Sequence, residues 1–108
     1  MRKILEATVV IYFRDITTTL GIPIAVLVHH DSDEVDLRIR TDWQPVLAYD
    51  ESAELEFLQE LIREIAKHKQ DAARLTILLA AENSVRAEKL AGTDPLLAQK
   101  LTEVIHNL

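Results

Sequence analysis

Seven consecutive uncharged residues, Ile22 to Val28 (Ile-Pro-Ile-Ala-Val-Leu-Val), constrain this chain more than any other stretch. The run is rich in β-branched side chains and lacks the apolar and polar alternation of a half-wet strand, so it reads as a strand buried on both faces. Such a strand needs hydrogen-bonded neighbours at its edges and cover above and below. The neighbours are legible on either side. Ala7 to Arg14 reads as a first strand, with Val9, Ile11 and Phe13 on one face and Thr8, Val10, Tyr12 and Arg14 on the other. Val35 to Thr41 alternates more cleanly: Val35, Leu37, Ile39 and Thr41 face one way, while Asp36, Arg38 and Arg40 face the other. That pattern suits an edge or near-edge strand whose charges discourage pairing with another chain. The threonine-rich connection ends in Gly21, which can take a positive φ, and Pro23 suits the opening of a strand. His29 to Glu34 is made of turn-favouring residues, so the three strands read as an antiparallel meander.

The cover must come from the rest of the chain. In the linking segment Asp42 to Asp50, the rings of Trp43 and Tyr49 are placed to plug the junction between sheet and helices. Glu51 to about Lys69 predicts a helix, with Asp50 as its N-cap and an apolar stripe of Leu55, Leu58, Leu61, Ile62 and Ile65 facing the sheet. Glu51 and Glu54 at its start, and Lys67, His68 and Lys69 at its end, complement the helix dipole. A second helix follows Asp71 and runs through Leu75, Leu78 and Leu79 to about Ala81; apolar nearly all round, it is expected to be sandwiched. Asn83 to Thr93 has helix-forming composition interrupted by Asn83-Ser84 and Gly92. Asp94 then caps a final helix with Pro95 in its first turn and a stripe of Leu97, Leu101, Val104, Ile105 and Leu108.

At 108 residues, with 48% hydrophobic and 28% charged side chains, the chain suffices for one core and reads as a single domain over residues 1–108. The fold class expected is α+β: a three- to four-stranded, mostly antiparallel sheet with about three helices packed on it. With no cysteine, disulfides and thiolate metal sites are excluded. The N-terminal Met1-Arg2-Lys3-Ile4-Leu5 begins like a signal peptide, but Glu6 and Thr8 break its apolar run, and nothing approaches the roughly 20 apolar residues of a membrane span. A cytoplasmic protein without membrane contact is expected. The formal charge of -6 and scattered basic residues argue against binding a phosphate backbone, so no nucleic acid is expected.

Several short motifs together suggest a family. Tyr12-Phe-Arg-Asp15, the Ile22 to Val28 run, Asp42-Trp43, Tyr49-Asp50, Asn83-Ser84-Val85-Arg86 and Thr93-Asp94-Pro95 resemble, in order, the pattern of the bacterial family called domain of unknown function 3037. The resemblance covers most of the chain. It implies that residues 84–90 form a strand, with Val85 and Ala87 inward and Arg86 and Glu88 outward. It also implies a protein partner, since some members are encoded beside kinase genes. The polar Arg-Gly-Glu and Asn-x-Gly motifs typical between that family's first two strands are replaced here by Thr18-Thr19-Leu20 and Pro23-x-Ala25.

One cluster has the composition of a site. His29-His30-Asp31-Ser32-Asp33-Glu34 offers imidazoles and carboxylates, the ligands of a metal, and His29, His30, Asp31 and Asp33 are its candidate ligands. If the strand continues through them, however, His29 and His30 point to opposite faces, and the glycine and distal glutamate of a calcium loop are missing. Ser32, Ser52 and Ser84 have no nucleophile-elbow context, and with only Gly21 and Gly92 no phosphate-cradling loop of the usual kinds can be written, so phosphoryl transfer is set aside. Arg38 and Arg40 beside Asp36 could bind an anion or simply form the wet side of a strand. No cofactor is expected. The function expected is that of a non-enzymatic interaction module, a homodimer or the binder of a protein partner, with Val10, Tyr12, Arg38, Arg40 and Trp43 on its contact surface. That surface follows from a second sheet face needing cover, unless the last helix supplies it. The alternative is a small metal- or anion-dependent enzyme built on the His29 to Glu34 turn.

Overall fold

In a computed structural model of the chain, residues 4–14, 21–30, 34–80, 84–91, 103–104, 106 and 108 are described. Four strands, β1 (Ile4–Tyr12), β2 (Ile22–His30), β3 (Val35–Ile39) and β4 (Val85–Ala91), form one antiparallel sheet in the order β3-β2-β1-β4. Three helices, α1 (Gln44–Tyr49), α2 (Leu55–Lys67) and α3 (Ala72–Ala80), lie between β3 and β4 in the chain. The uncharged run occupies β2, with Ile24 to Val28 all buried, as a strand covered on both faces requires. β3 takes an edge position, where its alternating charges were expected.

Pairing is interrupted twice by register shifts in β1 and β2, between Ile4 and Glu6 and between Val10 and Ile11. The second shift pairs Val10 with Ala25 and Ile11 with Pro23, leaving Ile24 as the extra residue. An unpaired extra residue re-aims its neighbours, and here both Ile24 and Ala25 are in the helix-side core. Gly21 differs from its expected role. Its φ is not left-handed; instead a Cβ there would lie 2.7 Å from the Tyr12 carbonyl oxygen and would collide with Ile11 Cγ2. The glycine admits a close crossing of chain segments at the mouth of the β1 to β2 connection.

The larger core lies on the helix side of the sheet and joins Val10, Tyr12, Ile24, Leu27, Leu58 and Ile65, among others. The other face carries a smaller cluster, Val9, Val26 and Val28, onto which Ile11, Val104 and Leu108 pack. The Thr41 amide donates to the Leu108 carbonyl at 3.4 Å, tying the chain end to the tip of β3. The two faces were therefore assigned the wrong way round. Val10 and Tyr12, expected on an open face, are 0% and 7% exposed beneath the helices, and the opposite face is the one partly covered by Val104 and Leu108.

Three helical expectations also change. The segment after Trp43 is the helix α1, opened by Asp42 Oδ1 accepting from the Gln44 amide at 3.1 Å and by a proline in the first turn. α2 begins at Leu55, later than expected, with Glu54 at its N-cap; the Asp50 carboxylate instead accepts from the Tyr12 hydroxyl at 2.6 Å and from the Ser52 amide at 3.1 Å in the turn before it. α3 starts as expected, with Asp71 Oδ1 accepting from the Arg74 amide at 3.1 Å, yet it is not sandwiched. Leu75 is buried, Leu78 and Leu79 are half-buried, and Ile77 is 60% exposed. β4 confirms the strand implied by the resemblance, but of its two inward residues only Val85 is buried, Ala87 being exposed at the rim of a cleft. The stop at Gly92, the Asp94 cap, Pro95 and the stripe residues Leu97, Leu101 and Ile105 lie outside the described residues.

Candidate functional site

β2 runs through His30 rather than turning at His29, and this extension decides what the two histidines can do. Side chains alternate along a strand, so His29 lies on the helix side with Leu27, and His30 on the opposite side with Val28. His29 Nε2 sits 4.0 Å from Glu6 Oε1, its partner in the β1 pairing. His30 Nε2 sits 2.9 Å from Asp36 Oδ2, and its buried Nδ1 has no hydrogen-bond partner among the described residues. One metal cannot be held by both rings. Among the described residues no three His, Asp or Glu side chains converge on a common point; Asp31 and Asp33 lie outside them.

The residues expected on a contact surface divide in the same way. Arg38 is exposed on the outer side of β3. Arg40 is 4% exposed and serves the fold: its Nε donates to the Pro23 carbonyl at 2.9 Å and its Nη1 to the Asp42 carbonyl at 3.2 Å, while its amide bonds Ile24. Burial lowers the pKa of this guanidinium, opposed by the nearby Asp42. Trp43 is half-buried against the helix-side core, where it fills the sheet and helix junction as expected.

Two clefts open beside the helices. The first, of about 380 Å³, lies between α3 and the sheet. Leu27, Leu75 and Leu79 form its apolar walls, Ala80 and Ala87 are at its rim, and Glu6, Thr8 and His29 line its polar side. This is the low end of the range of small-molecule sites. The sheet geometry places the three polar residues together, since Glu6 and Thr8 are two apart on one face of β1 and His29 pairs with Glu6 across the ladder.

The second cleft, of about 400 Å³, is lined by Tyr12, Arg14, Asp50, Ser52, Phe57 and Ser84, among others. Its chemistry is already committed to the fold. Desolvation raises the Tyr12 pKa, and the hydrogen bond to Asp50 raises it further, so the phenol is a donor and no base. The Tyr49 ring meets that of Tyr12 edge-on at 6.2 Å, and its hydroxyl accepts from the Arg14 amide at 3.0 Å. Among the described residues lining this cleft, none is a histidine, and the Asp50 carboxylate is bonded to the Tyr12 hydroxyl and the Ser52 amide.

The sequence singled out His29 and the helix α3 but did not bring Glu6, Thr8 and α3 together with His29 in one cleft. Scans against models of known protein families, against curated proteins and against solved structures find no match for this chain. No helix among the described residues is long and apolar enough to cross a membrane.

Proposed function

We propose that this protein is a non-enzymatic interaction module and that it binds a second copy of itself through the outer face of α3. The observation that carries the reading is Ile77, 60% exposed on a nine-residue helix in which Arg74 is the only charged residue. Isolated exposed aliphatics are ordinary, but this one adjoins half-buried Leu78 on a helix that is apolar nearly throughout.

Charge favours a second copy as the occupant. The chain carries a formal charge of -6, and the outer side of α2 displays Glu56 and Glu60, so two copies repel over much of their surface. The exposed positions of α3 away from the cleft, Ala73, Arg74 and Ile77, carry no carboxylate. A two-fold contact needs one patch complementary to itself, and a charge-poor apolar helix face meets that requirement. The alternative, a small metal- or anion-dependent enzyme on the His29 to Glu34 turn, is less favoured because His29 and His30 diverge and do not share one metal.

A dimer stabilised at this face melts at a temperature that rises with protein concentration, because association stabilises the folded chain by mass action. Differential scanning calorimetry over a hundredfold range of concentration is expected to show that rise for the wild type and none for Ile77→Gln. A melting temperature independent of concentration up to about 1 mM, the affinity of the weakest specific contacts, would remove the reading.

A further inference from the structure

The inner side of α3 carries a different site, independent of any association through its outer side. We propose that the cleft between α3 and the sheet binds a small molecule with a compact apolar body and one protonated amine, the amine held between Glu6 and His29.

The apolar body is specified by the walls. Leu27 from β2 and Leu75 and Leu79 from α3 enclose about 380 Å³, and water held against them has few polar partners. Displacing that water by hydrocarbon is the main source of affinity in sites of this kind. The short side chains of Ala80 and Ala87 leave the entrance open.

The amine is specified by a gap. Glu6 Oε1 and His29 Nε2 stand 4.0 Å apart, too far for a hydrogen bond to each other. A nitrogen placed between them reaches both at about 2.8 Å, the length of a charge-assisted hydrogen bond. An ammonium donates to the Glu6 carboxylate and, with the imidazole in its Nδ1–H tautomer, to His29 Nε2. Its third hydrogen has Thr8 as the next acceptor along β1. A carboxylate or phosphate in the same place would face Glu6, the only formally charged side chain among the described residues lining the cleft. A neutral hydroxyl could donate to Glu6 but would forgo the ion pair.

The test is a titration of the whole chain, followed by amide chemical shifts, with three probes of matched shape: cyclohexylmethylamine, cyclohexylmethanol and cyclohexanecarboxylate. The amine is expected to saturate with shifts at Glu6, Thr8, His29 and Leu79, to bind about tenfold more tightly than the alcohol, and to exceed the carboxylate by more. Glu6→Gln keeps the shape of the site and should bring the amine down to the affinity of the alcohol, leaving the alcohol unchanged. Ala87→Phe, made at an exposed rim position, should close the entrance to all three. Equal affinity for the three head groups, an undiminished amine affinity in Glu6→Gln, saturating shifts confined elsewhere, or no saturable binding would each overturn the proposal.

Discussion

α2 and α3 are neighbours that follow opposite rules. α2 alternates charge and hydrocarbon with helical period, buries Leu58, Ile62 and Ile65, and presents its glutamates to solvent, with Lys67 and Arg63 bonded to Glu64 and Glu60 one turn away. α3 has the more hydrophobic sequence of the two, yet it buries Leu75 and exposes Ile77. Pattern, not content, determines how much of a helix the core takes up: a stripe can be fully buried against a sheet, whereas a helix apolar all round has hydrocarbon left over. On α2 only Phe57, off the stripe and 42% exposed at the edge of the second cleft, is left over. On α3 the remainder borders a cleft on one side and faces solvent on the other.

That contrast can be broken by truncation. Ile65, fully buried where α2 meets the sheet, should lose the most when cut to alanine, about 3 to 4 kcal/mol by denaturant titration, from lost transfer energy and an unfilled cavity. Leu75→Ala should lose less, about 2 kcal/mol, because its site adjoins an existing cleft into which neighbours can relax. If the two losses prove equal, α3 is as firmly seated as α2 and the contrast fails.

The next effect concerns how α2 is approached. Tyr12→Phe removes the 2.6 Å bond to Asp50, the tie between β1 and the turn that precedes α2, and should lower stability by about 1 to 2 kcal/mol. The same bond makes stability pH-dependent. Because the folded state raises the phenol pKa, the contribution is complete below the unfolded value of about 10 and declines as pH rises above it. Alkaline melts should therefore show a wild-type decline starting near pH 10 that is reduced in Tyr12→Phe. The smallest effect is expected at Ile77. Ile77→Gln should change stability by no more than about 0.5 kcal/mol, measured where the chain is monomeric, since the side chain is mostly in water.

The sequence made some of this legible and hid the rest for identifiable reasons. Ile22 to Val28 announced β2, and the alternation of Val35 to Ile39 announced an edge strand, because strand patterns report burial directly. The stripe from Leu55 to Ile65 announced α2 for the same reason. Which face of β1 is covered was not legible: Val9, Val10, Ile11 and Tyr12 are apolar on both sides, so only the pairing and helix placement distinguish them. The bond between Tyr12 and Asp50, 38 residues apart, in the turn before α2 is encoded by no local cap signal. Glu6 and His29 are also far apart in the chain. Their meeting depends on strand register, and register here includes a shift between Ile4 and Glu6 that alternation alone does not reveal.

The most direct test of the division between a structural α2 and a presenting α3 is sedimentation equilibrium on the wild type and Ile77→Gln side by side. The account predicts a wild-type mass that rises with concentration toward twice the 12.3 kDa of the chain, and a variant that stays at 12.3 kDa. A wild type that remains at the single-chain mass throughout, or a variant that dimerises as well as the wild type, would contradict it.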